Sequence, residues 1–136
     1  MAKEVQVSLI TQVHQEGEVE TYQYEAPGYL DVISDSQVLT YQEESGVQVE
    51  FRIFSTYVEM TRTVDDKNGS SLRFERQKTH SGSFLAQGFP LEFTVETEQL
   101  DLIQSSIDSQ MLKIDYKLFN HGQKVGDYML KLIFEA

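Results

Sequence analysis

No cysteine occurs in this chain, so it has no disulfide framework, no zinc–thiolate site and no thiol nucleophile. No uninterrupted apolar run exceeds three residues, which leaves no candidate for a membrane-spanning helix. Proline is scarce, with only Pro27 and Pro90. No serine- or glycine-rich linker, internal repeat or low-complexity tract divides the sequence, so residues 1–136 are expected to form a single domain. Basic residues are also few. Lys and Arg total 11 against 22 Asp and Glu, a net charge of −11. The first 68 residues hold four basic and thirteen acidic groups, the remainder seven and nine. Nucleic acid is polyanionic and is held by cations that displace its counterions, so it is not expected as a partner. Such a surface is soluble, and it also suits docking to a basic protein partner. Glu4 stands where a signal peptide needs an apolar run, which predicts a cytoplasmic protein with no membrane association.

What the chain does have is rhythm. Apolar residues make up 40 % and aromatics 11 %, enough for a core burying roughly two thirds of the unfolded surface. They recur at every second position, the spacing that puts side chains on one face of a strand. Val5, Val7, Leu9 and Val13 mark a first strand, and Tyr22, Tyr24 and Ala26 a second. The second is expected to break at Pro27-Gly28 and resume through "YLDVI". Val47, Val49, Phe51 and Ile53 alternate cleanly, and Asn68-Gly69 predicts a hairpin turn between Val58–Val64 and Leu72–Phe74. At "QGFP" the apolar phase changes from even to odd positions, which requires a bulge, bend or turn around Gly88 and Pro90. Beyond it, Leu91, Phe93, Val95 and Thr97 share a face, as do Leu112, Ile114, Tyr116 and Leu118, and then Tyr128 to Phe134. Leu100, Ile103, Ile107 and Met111 fit a helical period, so a short helix or turn is the most that residues 100–110 allow. The sum is an all-β chain of about eight to ten antiparallel strands, and an up-and-down barrel is the architecture that leaves no sheet edge exposed.

Catalytic motifs are missing. No G-x-S-x-G elbow, phosphate-cradling glycine loop or dinucleotide fingerprint is present. His14, Glu16 and Glu18 would share a face of an ideal strand, but Gly17 favours a turn, so no metal is assigned. "DDKNGS" fails as a calcium loop, because Val64 occupies the first ligand position. No cofactor is expected.

The informative residues are polar ones in phase with apolar faces. Arg62 follows Val58 and Met60, while Arg76 follows Leu72 and Phe74 with Lys78 and His80 continuing the phase. Thr97 finishes the apolar face of its strand, and Tyr116 stands in phase on the apolar face of its own. An Asn-Gly hairpin would bring Arg62 and Arg76 onto one inward face. A buried guanidinium needs a carboxylate, a carbonyl, an aromatic face or a bound anion. Arg62, Arg76, Tyr116, Thr97 and His80 are therefore the candidate ligand-binding set, suited to a small amphipathic carboxylate or phosphate ester. The bland alternative is an arginine at a barrel end with its head in water or on a carbonyl.

In order along the chain, "YQYEAPGYLDVISDSQVLTYQEE", the strand pair around "MTRTV" and "SLRFE", "PLEFTVETEQLDL" and "LKIDYKLF" resemble the YwiB-like family. That family comprises small uncharacterised proteins of Gram-positive bacteria. Gly28-Tyr29, Tyr41 with Glu43-Glu44, and the strand ending in Thr97 carry the likeness, while Gly88-Phe89-Pro90 departs from the expected aromatic–glycine order. The resemblance implies a calycin-like (lipocalin-type) β-barrel and no established catalytic residues. Three readings follow: a barrel binding a small anionic amphiphile in its interior, a self-filled barrel serving as a structural or protein-interaction module, and an enzyme using acid–base groups such as His80.

Overall fold

Period-two alternation closes on itself to form a ring. The computed structural model describes residues 2–136, apart from the side chain of Ser45. Its first five strands are β1 (Lys3–Gln15), β2 (Glu18–Ile33), β3 (Ser36–Gln42), β4 (Gln48–Ile53) and β5 (Tyr57–Asp65). They are followed by β6 (Asn68–Glu75), β7 (Lys78–Ala86), β8 (Phe89–Ser106), β9 (Ser109–Asn120) and β10 (Gln123–Glu135). Each strand pairs antiparallel with the next, and β10 pairs with β1 from Gln6↔Glu135 to His14↔Asp127. The result is a closed up-and-down barrel. No helix among the described residues is long and apolar enough to cross a membrane.

Connections alternate between the two ends. Residues 34–35, 54–56, 76–77 and 107–108 lie at the mouth where β1 begins and β10 ends, here the near mouth. Residues 16–17, 43–47, 66–67, 87–88 and 121–122 lie at the far mouth. Three of these turns, Glu16-Gly17, Gln87-Gly88 and His121-Gly122, place both central residues at positive φ. That conformation matches the twist of a two-residue hairpin, and it favours glycine at the second position. The phase change at "QGFP" is therefore a hairpin between β7 and β8.

Two local expectations are corrected, and a third, the short helix or turn within residues 100–110, is met by its turn alternative. β2 runs unbroken through Pro27 and Gly28, because Pro27 stays in register with Gln6 of β1. Asn68-Gly69 is not the turn. Asp66-Lys67 takes that place, Asp65 accepts hydrogen bonds from the Lys67 N–H and Asn68 Nδ2, and a bulge between Thr63 and Asp65 absorbs the offset. Residues 100–106 form no helix: a bulge between Thr97 and Gln99 shifts the inward phase, setting Leu100 against Ile114 and Leu102 against Leu112. Pairing with an apolar neighbour strand overrides the weak helical spacing, and the connection there is the turn 107–108.

The inward side chains form one cluster. Leu39, Phe51, Phe74, Val95, Leu112, Ile114 and Leu132 are each 0 % exposed. Zero exposure leaves no water-sized space against them, so the middle of the barrel is filled by its own side chains. Burial of each large one contributes about 1.5–3 kcal/mol. Two inward glycines belong to this packing. A Cβ on Gly82 would lie 2.6 Å from Leu72 Cδ2, and one on Gly28 2.7 Å from the Thr40 carbonyl oxygen.

Candidate functional site

With the middle filled, polar chemistry sits at the two ends. At the near mouth, Gln37 of β3 and Gln110 of β9 meet across the opening. Each amide nitrogen donates to the other's oxygen, at 3.0 and 2.8 Å. Beside this bridge lies a depression of about 440 Å³, with Ile53, Val58 and Leu100 among its apolar walls and Glu75 and Arg76 among its polar ones. Arg76 Nη2 donates to Asp101 Oδ1 at 2.7 Å and to the Leu100 carbonyl. Its side chain is 57 % exposed. Glu75 is held by His80 Nε2 at 2.8 Å and by Lys78 Nζ at 3.2 Å, and the hydrogen bond from His80, then that from Lys78, lowers its pKa below the ordinary carboxylate value. Thr97 is buried behind it: its hydroxyl accepts the Glu75 N–H at 3.3 Å and its carbonyl the Gln77 N–H at 2.9 Å.

At the far mouth, Arg62 grips Glu43 with both nitrogens, Nη2 to Oε1 at 2.5 Å and Nη1 to Oε2 at 3.3 Å. The Glu43 side chain is 2 % exposed and that of Arg62 34 %. Tyrosines surround the pair. Burial first, and the neighbouring Glu43 charge second, push the Tyr41 hydroxyl above its usual range, while Arg62 pulls the other way. That hydroxyl is buried without a hydrogen-bond partner of good geometry. Tyr116 stacks on Tyr128 with ring centroids 5.0 Å apart and tilts against Phe74 at 4.6 Å. Burial also holds its proton above the ordinary tyrosine value.

The candidate set is thus divided. Arg76, Thr97 and His80 gather around Glu75 towards the near mouth, whereas Arg62 belongs to the far mouth and feels Tyr116 electrostatically. Arg62 faces Ser70 in the β5–β6 register, and Arg76 lies beyond the last pair, Tyr57↔Glu75. The two guanidinium groups therefore do not share an inward pocket, and each has a carboxylate partner of its own. Sequence reasoning missed Glu43, Glu75 and the Gln37–Gln110 bridge. One signal for Glu43 was available: Leu39, Tyr41 and Glu43 stand at successive alternate positions, so a carboxylate follows two core residues in phase.

Two further clefts lie outside the lumen. One, of about 510 Å³, runs along β6 and β7, where the ladder holds only three residue pairs, Gly69↔Leu85 to Ser71↔Ser83. It includes Arg73, whose guanidinium stacks on the Tyr57 ring at 3.9 Å and whose Nε is buried without a partner. The other, of about 580 Å³, separates Gln23–Pro27 of β2 from residues 42–46.

Comparison with known proteins is consistent with this architecture and silent about chemistry. The crystal structure of the ywiB protein from Bacillus subtilis superposes with a TM-score of 0.84 over 99 % of this chain and 92 % of that one, at 13 % identity. At that identity the likeness shows the fold alone. No curated protein matches the sequence. The model of the family described as "Domain of unknown function (DUF1934)" matches residues 7–132. The resemblance to YwiB-like proteins is thereby shown, and the chain belongs to the DUF1934 family of closed antiparallel β-barrels.

Proposed function

We propose that this protein is a non-catalytic interaction module of the cytoplasm, with the barrel as a self-filled scaffold and the outer surface as its working part. One observation carries the reading: the mid-barrel side chains have no exposure, while each mouth is crossed or closed by a side-chain pair, Gln37–Gln110 at one end and Arg62–Glu43 at the other. A ligand in the lumen would have to displace packed side chains, at roughly the cost of several core truncations. The excess of acidic groups supports a protein partner of opposite charge.

A second reading has its own support. The near-mouth depression of about 440 Å³ joins apolar walls to Arg76, and that size is within the range of small-molecule sites. A small amphipathic anion would seat its tail on Ile53, Val58 and Leu100 and its head on Arg76, in competition with Asp101.

Two measurements separate them. Photo-crosslinking residues placed around the outer surface in cells should yield protein adducts, and native mass spectrometry should find no retained small molecule. A retained stoichiometric small molecule with no protein adduct from any face would reject the module. A melting-point rise with fatty acids or acyl phosphates that disappears in Arg76→Ala would establish the mouth site instead.

A further inference from the structure

We propose that the open edge of β2, residues 18–27, is the docking surface, and that it takes an extended basic segment of a partner protein as an added strand. This inference rests on the interaction-module reading and names its surface and partner class.

The edge is a product of local chemistry. β2 pairs with β1 from Gln15↔Glu18 to Lys3↔Leu30. Its ladder with β3 covers only Gly28↔Tyr41 to Ile33↔Ser36. The next rung would need a donor from Pro27, which has none. On the other side the chain leaves β3 through a 3₁₀ turn at Glu44–Gly46. Residues 18–27 therefore have a neighbouring strand on one side only. Alternate residues of that stretch direct backbone groups into the open side, over about 30 Å. Unpaired edges of this kind are templates for another strand.

Side chains decide which strand fits. From residue 4 to residue 51 the sequence contains ten Asp and Glu and no Lys or Arg. Glu18 and Glu20 stand on the edge in phase with Tyr22 and Tyr24, and Tyr22 donates its hydroxyl hydrogen to Glu20. Glu25, Glu43 and Glu44 line the crevice beside the edge, about 580 Å³ in volume. Tyr41, whose buried hydroxyl lacks a partner, stands near Glu43 and Tyr24 of that lining. Val19 and Tyr22 are 56 % and 45 % exposed, which leaves apolar and aromatic contact area along the strand. Cations at every second position of an incoming strand would meet carboxylates and tyrosine faces in turn.

The same chemistry argues against other occupants. Edge-to-edge pairing of two copies would bring together two strands that each carry Glu18, Glu20 and Glu25 and no Lys or Arg, and like charges on facing strands destabilise such a pair. Nucleic acid would meet a surface of its own sign. Among the described residues no group of three His, Asp or Glu side chains is placed to hold a metal ion.

The test uses the whole chain, labelled with ¹⁵N, and a ten-residue peptide alternating lysine and threonine. Shift changes and slowed amide exchange should concentrate in residues 18–27 and 42–46 and fade as salt is added. Methylating alternate backbone nitrogens of the peptide should weaken binding about tenfold, the equivalent of one or two lost hydrogen bonds. Neutralising Glu18, Glu20 and Glu25 to Gln should weaken it by a similar factor without lowering the melting temperature. Equal binding of the methylated peptide, perturbations centred on another face, or no binding would each overturn the edge assignment. In those cases crosslinks from other faces to proteins would leave the module reading standing, whereas their absence together with a retained small molecule would remove it too.

Discussion

Arg62 and Glu43 are partners, yet removing them should have unequal effects. Glu43 is almost fully buried, so losing Arg62 leaves a carboxylate with neither solvent nor counterion, whereas losing Glu43 leaves a guanidinium that water can reach. Arg62→Met should therefore destabilise by about 3 kcal/mol and Glu43→Gln by about 1 kcal/mol, with the double variant Arg62→Met/Glu43→Leu recovering most of the loss. Urea denaturation of all three checks this, and equal single-variant losses would contradict it. Tyrosine ionisation gives a second reading of the same mouth. Burial raises Tyr41 and Tyr116 above the ordinary value of about 10. Above that pH the unfolded chain gains by shedding protons that the barrel still retains. Stability from these two groups is intact below pH ~10 and falls as pH climbs towards the raised folded values. An alkaline absorbance titration should split the seven tyrosines into early and late groups, the late one ionising as the barrel unfolds. A single reversible step for all of them would count against the buried hydroxyls. The phase of Arg62, and equally of Glu43, can be read in the sequence. Which polar side chain lies across which strand cannot, because that depends on register between segments 19 residues apart.

At the scale of strands, the ten elements differ most in how well they are joined. β8 and β9 share a long ladder, while β6 and β7 share three residue pairs and then separate towards the near mouth. Hydrogen bonds from Glu75 to the Thr97 hydroxyl and from Gln77 to its carbonyl bridge part of the gap. Amides facing that gap should exchange faster than those between β8 and β9, by native-state hydrogen exchange. Uniform protection around the ring would refute a weak junction. Alternation and the X-Gly turns made most strands legible, including the hairpin at Gln87-Gly88. Bulges were the hidden part. At Thr63/Asp65 and Thr97/Gln99 one extra residue changes which side chains face inward, and the surrounding sequence alternates either way. That is why Asn68-Gly69 suggested a turn and residues 100–111 a helical spacing.

For the molecule as a whole, the charge of −11 works against compactness while the ring of strands opposes it. Added salt should raise the melting temperature by screening that repulsion, with the largest gain at low ionic strength. A flat or falling dependence would mean that the ion pairs Arg52–Glu50, Arg76–Asp101 and Lys117–Glu98 outweigh the net repulsion. Closure itself depends on the first and last strands finding each other across the length of the chain. A circle of strands has one further property: parting any single junction converts it into a flat sheet with two new rims. The three-rung junction is the natural place for that to happen. Ser71 and Ser83 face each other there, both exposed, at a rung separation that a covalent sulfur link can span. Since no native thiol can compete, Ser71→Cys/Ser83→Cys should oxidise to one product, rivet the circle shut and add about 2 kcal/mol. If reduced and oxidised forms melt together, the break begins elsewhere.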